Sequence, residues 1–192
     1  MMEIGNAIGL AVIAVVIVWS IMIYNNLVNL KHNVTKAWSN IDVLLKQRHD
    51  ELPKLVETCK QYKEFEQDTL QRITDARSRV QDARVKQDIP ALGQAESALR
   101  MGLGNLFAVF EAYPELKAVE TFQHLLARIS GLENSIAQRR EFYNDSVNIN
   151  NIRIEQFPDV LIARFFNFKA FDLLKFQEEE IKDVDLKKLF AS

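Results

Sequence analysis

The chain opens on one unbroken apolar run and then changes pattern for good. From Ile4 to Tyr24 it reads IGNAIGLAVIAVVIVWSIMIY, with no ionisable side chain before the Tyr24 phenol. At ~1.5 Å per residue this run makes a helix of about 31 Å, the thickness of a bilayer's hydrocarbon core. From Leu27 the apolar residues recur instead in steps of three and four: Leu30, Val34, Ala37, Trp38, Ile41, Leu44 and Leu45, then Leu52, Leu55, Val56 and Cys59, then Tyr62, Phe65, Leu70, Ile73, Ala76, Val80 and Ala83. That spacing predicts one long amphipathic helix with a coiled-coil-like seam. Asp68/Arg72 and Asp75/Arg79, four apart, mark its solvated face.

Pro53 interrupts this pattern. It removes the hydrogen bond to the His49 carbonyl and crowds that turn. A tight turn between two helices and a kink in one helix compete. No Gly, Asn or Ser cluster accompanies Pro53 and the apolar register passes it without a slip, which favours the kink.

The next boundaries are plainer. Gln87-Asp88-Ile89-Pro90 ends one helix and starts another, with Asp88 as N-cap and Pro90 in the first turn. The following helix spans about 91–112. Gly93, Gly102 and Gly104 lie inside it, each costing ~1 kcal/mol against Ala, so at least one is expected to permit a close helix approach. Tyr113-Pro114-Glu115 is a turn, a long helix covers about 116–156, and Phe157-Pro158 ends it. A last short helix is expected at 159–166, then a tail partly ordered against the bundle. The expected fold is all-α: an N-terminal transmembrane helix (1–26), an antiparallel bundle of long helices (27–166) and a C-terminal tail (167–192).

Charge refines the picture of the anchor. A signal peptide has a basic start, a shorter apolar core and small residues at its cleavage site. Here the start is Met1-Met2-Glu3, and Trp19 to Tyr24 is bulky. The run from Ile4 to Tyr24 is therefore expected to be a retained anchor. Lys31, Lys36, Lys46 and Arg48 follow it, whereas only Glu3 precedes it. Basic flanks favour the cytoplasmic face. The expectation is a single-pass protein of the inner (cytoplasmic) membrane with a short outer N-terminus and its body in the cytoplasm.

Composition narrows the functions. Lys plus Arg is 24 and Asp plus Glu is 26, a net charge of −2, which speaks against nucleic acid as partner. The single cysteine, Cys59, excludes an intrachain disulfide and sits in apolar register. There are 3 histidines, His32, His49 and His124. None forms HExxH or another paired ligand spacing, and no GxSxG, Walker loop or GxGxxG occurs. No catalytic residue, metal or cofactor is expected.

Three clusters stand out from a plain bundle. The first is Tyr24-Asn25-Asn26-Leu27-Val28, continued by Ala37 to Val43, Arg48-His49-Asp50 and Pro53 to Thr58. The second is Tyr113-Pro114-Glu115-Leu116-Lys117-Ala118. The third is Glu133-Asn134, Arg139-Arg140, Phe142-Tyr143-Asn144-Asp145, Val147, Ile154 and Phe157-Pro158. Together they resemble the LemA family of bacterial membrane-anchored helical proteins, in order and over nearly the whole chain. Two departures occur. Asn150-Asn151 stands where the family tends to repeat Tyr-Asn, and Phe166-Asn167-Phe168 where it often has Phe-Gly-Phe. The resemblance implies an N-terminal anchor and a helical body but no reaction. Family members are often encoded near membrane metallopeptidases, which makes such a protease a candidate partner.

The third cluster also has a physical reading. Asn144 and Asn151 lie two turns apart on one helix face, beside Tyr143. Buried amides must be hydrogen-bonded and can fix helix register. Arg139 and Arg140 are placed to meet a carboxylate such as Asp42 or Asp50. A structural polar layer is the main reading, and a binding site for a peptide or polar ligand the alternative. Two functions follow. One is a scaffold or adaptor that meets the bilayer and another membrane protein or a second copy. The other is a tethered regulator that senses a peptide or small ligand at the polar layer.

Overall fold

The computed structural model describes residues 2–62, 64–113 and 118–176, with the side chains of Met2 and Glu3 left aside. The expectations for Met1 to Glu3, for the turn at Pro114-Glu115, for a helix start at Leu116 and for the tail beyond 176 fall wholly or partly outside the described residues. Five helices are described: α1 (Met2–Cys59), α2 (Gln67–Lys86), α3 (Ile89–Ala112), α4 (Glu120–Glu155) and α5 (Asp159–Phe165). No strand occurs among the described residues, and the fold is the all-α bundle the periodicity implies.

Pro53 lies inside α1, which continues to Cys59. Leu52, Leu55 and Cys59 are fully buried around it. Burying each such side chain contributes about 1.5–3 kcal/mol, so together they outweigh the ~3 kcal/mol cost of proline in a helix.

The single helix expected from Leu27 to Ala83 is in fact two, α1 and α2. The chain leaves α1 through tightened bonds, Gln61 N–H to the Thr58 carbonyl at 3.2 Å and Tyr62 N–H to the Cys59 carbonyl at 3.0 Å. Phe65 keeps the apolar rhythm across this connection because it packs as a loop residue, 5.6 Å from the Phe122 ring. α2 then runs back along α1. Arg77 donates to the His49 carbonyl at 2.9 Å, and Arg84 meets Asp42 at 2.8 Å. Numbers rise in one helix as they fall in the other, which makes the pair antiparallel.

The boundary between α2 and α3 is built as its residues require. Gln87 adopts a left-handed conformation, φ 54°, and Asp88 N–H closes on the Ala83 carbonyl at 3.0 Å. The Asp88 carboxylate accepts from Ala91 N–H at 3.0 Å, the expected N-cap. α3 packs on α2 through Gly102, where a Cβ would stand 2.9 Å from Ile73 Cγ1. At Gly93 a Cβ would fall on the Lys175 carbonyl oxygen, so the chain after α5 lies directly on α3 there. Gly104 faces open space.

The chain divides into two compact units. One comprises the residues up to Ser39 with Phe142–Asp172, and so holds the start of α1, the end of α4, α5 and the segment after it. Its core joins Ile23 and Leu27 of α1 to Ala163 of α5, with Ile154, Ile162 and Phe168 against them. The other comprises Asn40–Glu141 and the chain from Leu173, and holds the rest of α1, α2, α3 and the start of α4.

In α1 the apolar side chains from Ile4 to Met22 are exposed, and burial begins at Ile23. Among the described residues this is the one helix long and apolar enough to cross a membrane. Ser20 donates its hydroxyl to the Val16 carbonyl at 2.8 Å, so it needs no water there.

The glycine contacts give a prediction. Gly93→Ala should destabilise the folded chain in detergent by about 1–3 kcal/mol, since a carbonyl must move. Gly104→Ala should instead stabilise by up to ~1 kcal/mol. Thermal denaturation checks both, and equal effects would contradict the packing described.

Candidate functional site

The segment after α5 is held against α4 by a polar layer. Tyr143 is buried and donates its hydroxyl to the Asp172 carbonyl at 3.0 Å. Burial, then the nearby Asp172 charge, pushes this phenol up to about 12. Asn151 makes both bonds a backbone neighbour would make. Its Nδ2 donates to the Phe171 carbonyl at 2.9 Å, and its Oδ1 accepts from Phe171 N–H at 3.0 Å. Asn150 is buried; its Nδ2 lies 3.2 Å from Asn151 Oδ1 and 3.5 Å from the Lys169 carbonyl.

This layer contains Tyr143 and Asn151, as the sequence suggests, but its fully buried amide is Asn150. Asn144 is half-buried. The physical reason is register: Tyr143, Val147 and Asn150 form one buried stripe, and Asn151 borders it. The steps of four and three after Tyr143 carried that signal. Arg139 is exposed, and the Arg140 guanidinium lies over the Phe176 ring at 3.8 Å, a cation–π contact. The partner suggested for them, Asp42, is held by Arg84 instead, and Asp50 is exposed. Of the two ends expected for the anchor, Ile4 is exposed, while Tyr24 is half-buried with its ring 4.6 Å from Phe166.

A second polar cluster was hidden in the sequence. Arg48 is 1% exposed and Glu96 is 0%. The Arg48 guanidinium pairs with the Glu96 carboxylate and with Glu133 at 2.6 Å. Arg100 stands 3.6 Å from Glu133, and Arg128 meets Glu51 at 3.0 Å. Burial works against the Arg48 charge, but the two carboxylates outweigh it and raise its pKa. The expectations drawn from the sequence do not single out this cluster. The usable signal is that Arg48 fills the apolar step between Leu45 and Leu52, and Glu96 that between Leu92 and Leu99.

The carboxylates at Arg48 are neutralised by guanidinium groups. Cys59 is buried, and burial pushes its thiol up to about 12. Among the described residues no group of three His, Cys, Asp or Glu could hold a metal ion. One cleft of about 490 Å³ opens beside the polar layer, lined by Tyr24, Lys31, His32, Asn150, Phe166 and Lys169 among others. Lys31 and Lys169 give its lining two formal positive charges.

Fold and polar layers together define a class: an all-helical bundle with a candidate membrane-spanning helix at its start and buried polar groups that hold helices together. The LemA family model matches residues 37–187, and the chain belongs to the LemA family. It is 29% identical over 162 residues to Protein LemA of Metamycoplasma hominis, covering 84% of this chain and 72% of that protein. It is also 26% identical over 189 residues to the magnetosome proteins MamQ 1 and MamQ 2 of Paramagnetospirillum magneticum, covering 86% of this chain and 69% of each relative.

His49 gives a pH prediction. Its Nε2 lies 2.7 Å from Arg77 Nη2. Burial first, then the Arg77 charge, lower its pKa. The unfolded imidazole, with a pKa of about 6.5, therefore takes up a proton that the native ring refuses. The contribution is full above that pH and is lost as pH falls below it. Denaturation curves of His49→Gln should lose less stability than wild type between about pH 6.5 and 5. Identical slopes would contradict the contact.

Proposed function

We propose that the protein is a single-pass, non-enzymatic scaffold or adaptor, anchored in the inner (cytoplasmic) membrane by Ile4 to Tyr24, with its body in the cytoplasm. The observation that carries this is the exposed apolar surface of α1 from Ile4 to Met22, in a helix that runs on without a break into the folded body. Such a surface in water would be a large aggregation liability; in a bilayer it is satisfied. The basic flank beginning at Lys31 supports the orientation. Partners consistent with this reading are the bilayer, a second copy, or another membrane protein such as a metallopeptidase.

The cleft beside Asn150 favours a second reading, a tethered regulator that senses a peptide or small ligand. Against it, the amide of Asn151 and the hydroxyl of Tyr143 are already used on the chain's own backbone.

Two measurements test the first reading. A periplasmic alkaline phosphatase fused after Ser192 should be inactive in cells; strong activity would overturn the orientation. Crosslinking in intact membranes with mass spectrometry should return membrane proteins or the chain itself. Capture of one small ligand with no protein partner would favour the regulator.

A further inference from the structure

The short helix α5 is built inside out for a helix that faces water. Its inward side is Asp159 and Ala163, both buried. Two of its large apolar side chains point away from the protein: Phe165 is 81% exposed and Leu161 is 60% exposed, four residues apart on one face. Phe157, just before the helix, is 81% exposed, and Phe166, just after it, is exposed as well. A surface helix ordinarily shows the opposite arrangement. Scattered exposed apolar residues need no explanation, but four large ones on one corner do.

The place of this corner explains it. Ala163 and Ile162 pack on Ile23 and Leu27, and the Phe166 ring lies 4.6 Å from Tyr24. Tyr24 is the last residue of the apolar run, and Leu27 is about 4.5 Å further along the helix. α5 is thus fastened within one turn of the point where the span ends. The charges fit the same level. Arg164 on α5, and Lys31 and Lys169 beside it, are exposed and cationic. The Asp159 carboxylate is drawn inward onto Arg153 at 2.6 Å.

We propose that Phe157, Leu161, Phe165 and Phe166 form a wedge that inserts into the lipid interface beside the anchor, with Arg164, Lys31 and Lys169 at the level of anionic headgroups. This rests on the reading of Ile4 to Tyr24 as a membrane span and adds a second contact with the same leaflet. The wedge fixes how the body leaves the membrane. A helix that only spans can rotate about its own axis; one fastened to an inserted corner cannot.

The test uses the full chain reconstituted into vesicles of phosphatidylethanolamine and phosphatidylglycerol. Leu161→Cys and Phe165→Cys, each labelled with an environment-sensitive fluorophore, are compared with Ser78→Cys on the exposed face of α2. Cys59 is buried, so the unsubstituted chain serves as the labelling control. All three positions are exposed, so the substitutions remove no core contact. Lipids carrying a nitroxide near the headgroup should remove about half or more of the emission at 161 and 165, as expected for insertion of about 5–10 Å, and leave 78 unchanged. Iodide in the buffer should quench 78 and spare 161 and 165. Quenching of 161 and 165 by iodide alone overturns the wedge, and protection from both quenchers overturns it in favour of a protein cover. Alkaline carbonate extraction separates the two claims. A chain that stays in the vesicles with 161 and 165 in water keeps its anchor and loses the wedge. A chain that carbonate releases loses both.

Discussion

A guanidinium buried among helices dictates which helices surround it. Arg48 stands on α1, and the carboxylates that meet it come from α3 and α4. Removing an ion from water costs several kcal/mol, and that cost is offset only when opposite charges arrive with good geometry. Any packing of α1 that leaves out Glu96 or Glu133 strands a charge, whereas an apolar seam tolerates a slip by one turn. The ion cluster therefore contributes less through net stability than through the uniqueness of the arrangement. The antiparallel order of α1 and α2, set by Arg84 to Asp42 and Arg77 to His49, belongs to the same unit.

The other unit uses neutral polar groups to the same end. Asn151 completes the hydrogen bonds of Phe171 as a neighbouring strand would, and Tyr143 takes the Asp172 carbonyl. These bonds hold residues 169–172, which lie outside any helix. That segment follows α5, so the layer also fixes α5 against Ile23 and Leu27. Within this unit the neutral polar residues thus hold the segment after α5 against α4.

Much of this was legible in the sequence, for identifiable reasons. The long apolar helix needed only length and the lack of charge. The boundary at Asp88 and Pro90 was visible because capping is local chemistry, and α5 because Phe157-Pro158 ends what precedes it. The register around Pro53 correctly pointed to a helix that continues. The break after Cys59 was not legible, because Tyr62 and Phe65 keep the helical rhythm across a connection without glycine or proline. The polar layer was placed on the right helix with Asn144 and Asn151; Asn151 holds Phe171, while the most buried amide is Asn150, in register with Tyr143 and Val147. As a charge, Arg48 was counted only in the basic flank of the apolar run, and Glu96 was not singled out, because residue type outweighed register. The outward face of α5 could not be read at all, since which side of a seven-residue helix is buried depends on what it packs against.

The double-mutant cycle of Arg48→Met and Glu96→Met measures the central constraint most directly. Arg48→Met alone should lower unfolding free energy by about 3–5 kcal/mol, because it leaves carboxylates buried without their cation. Adding Glu96→Met should restore a large part of that loss, a coupling of at least ~1 kcal/mol. If Arg48→Met changes stability by less than about 0.5 kcal/mol, or the two effects simply add, the buried ion cluster does not hold this bundle together.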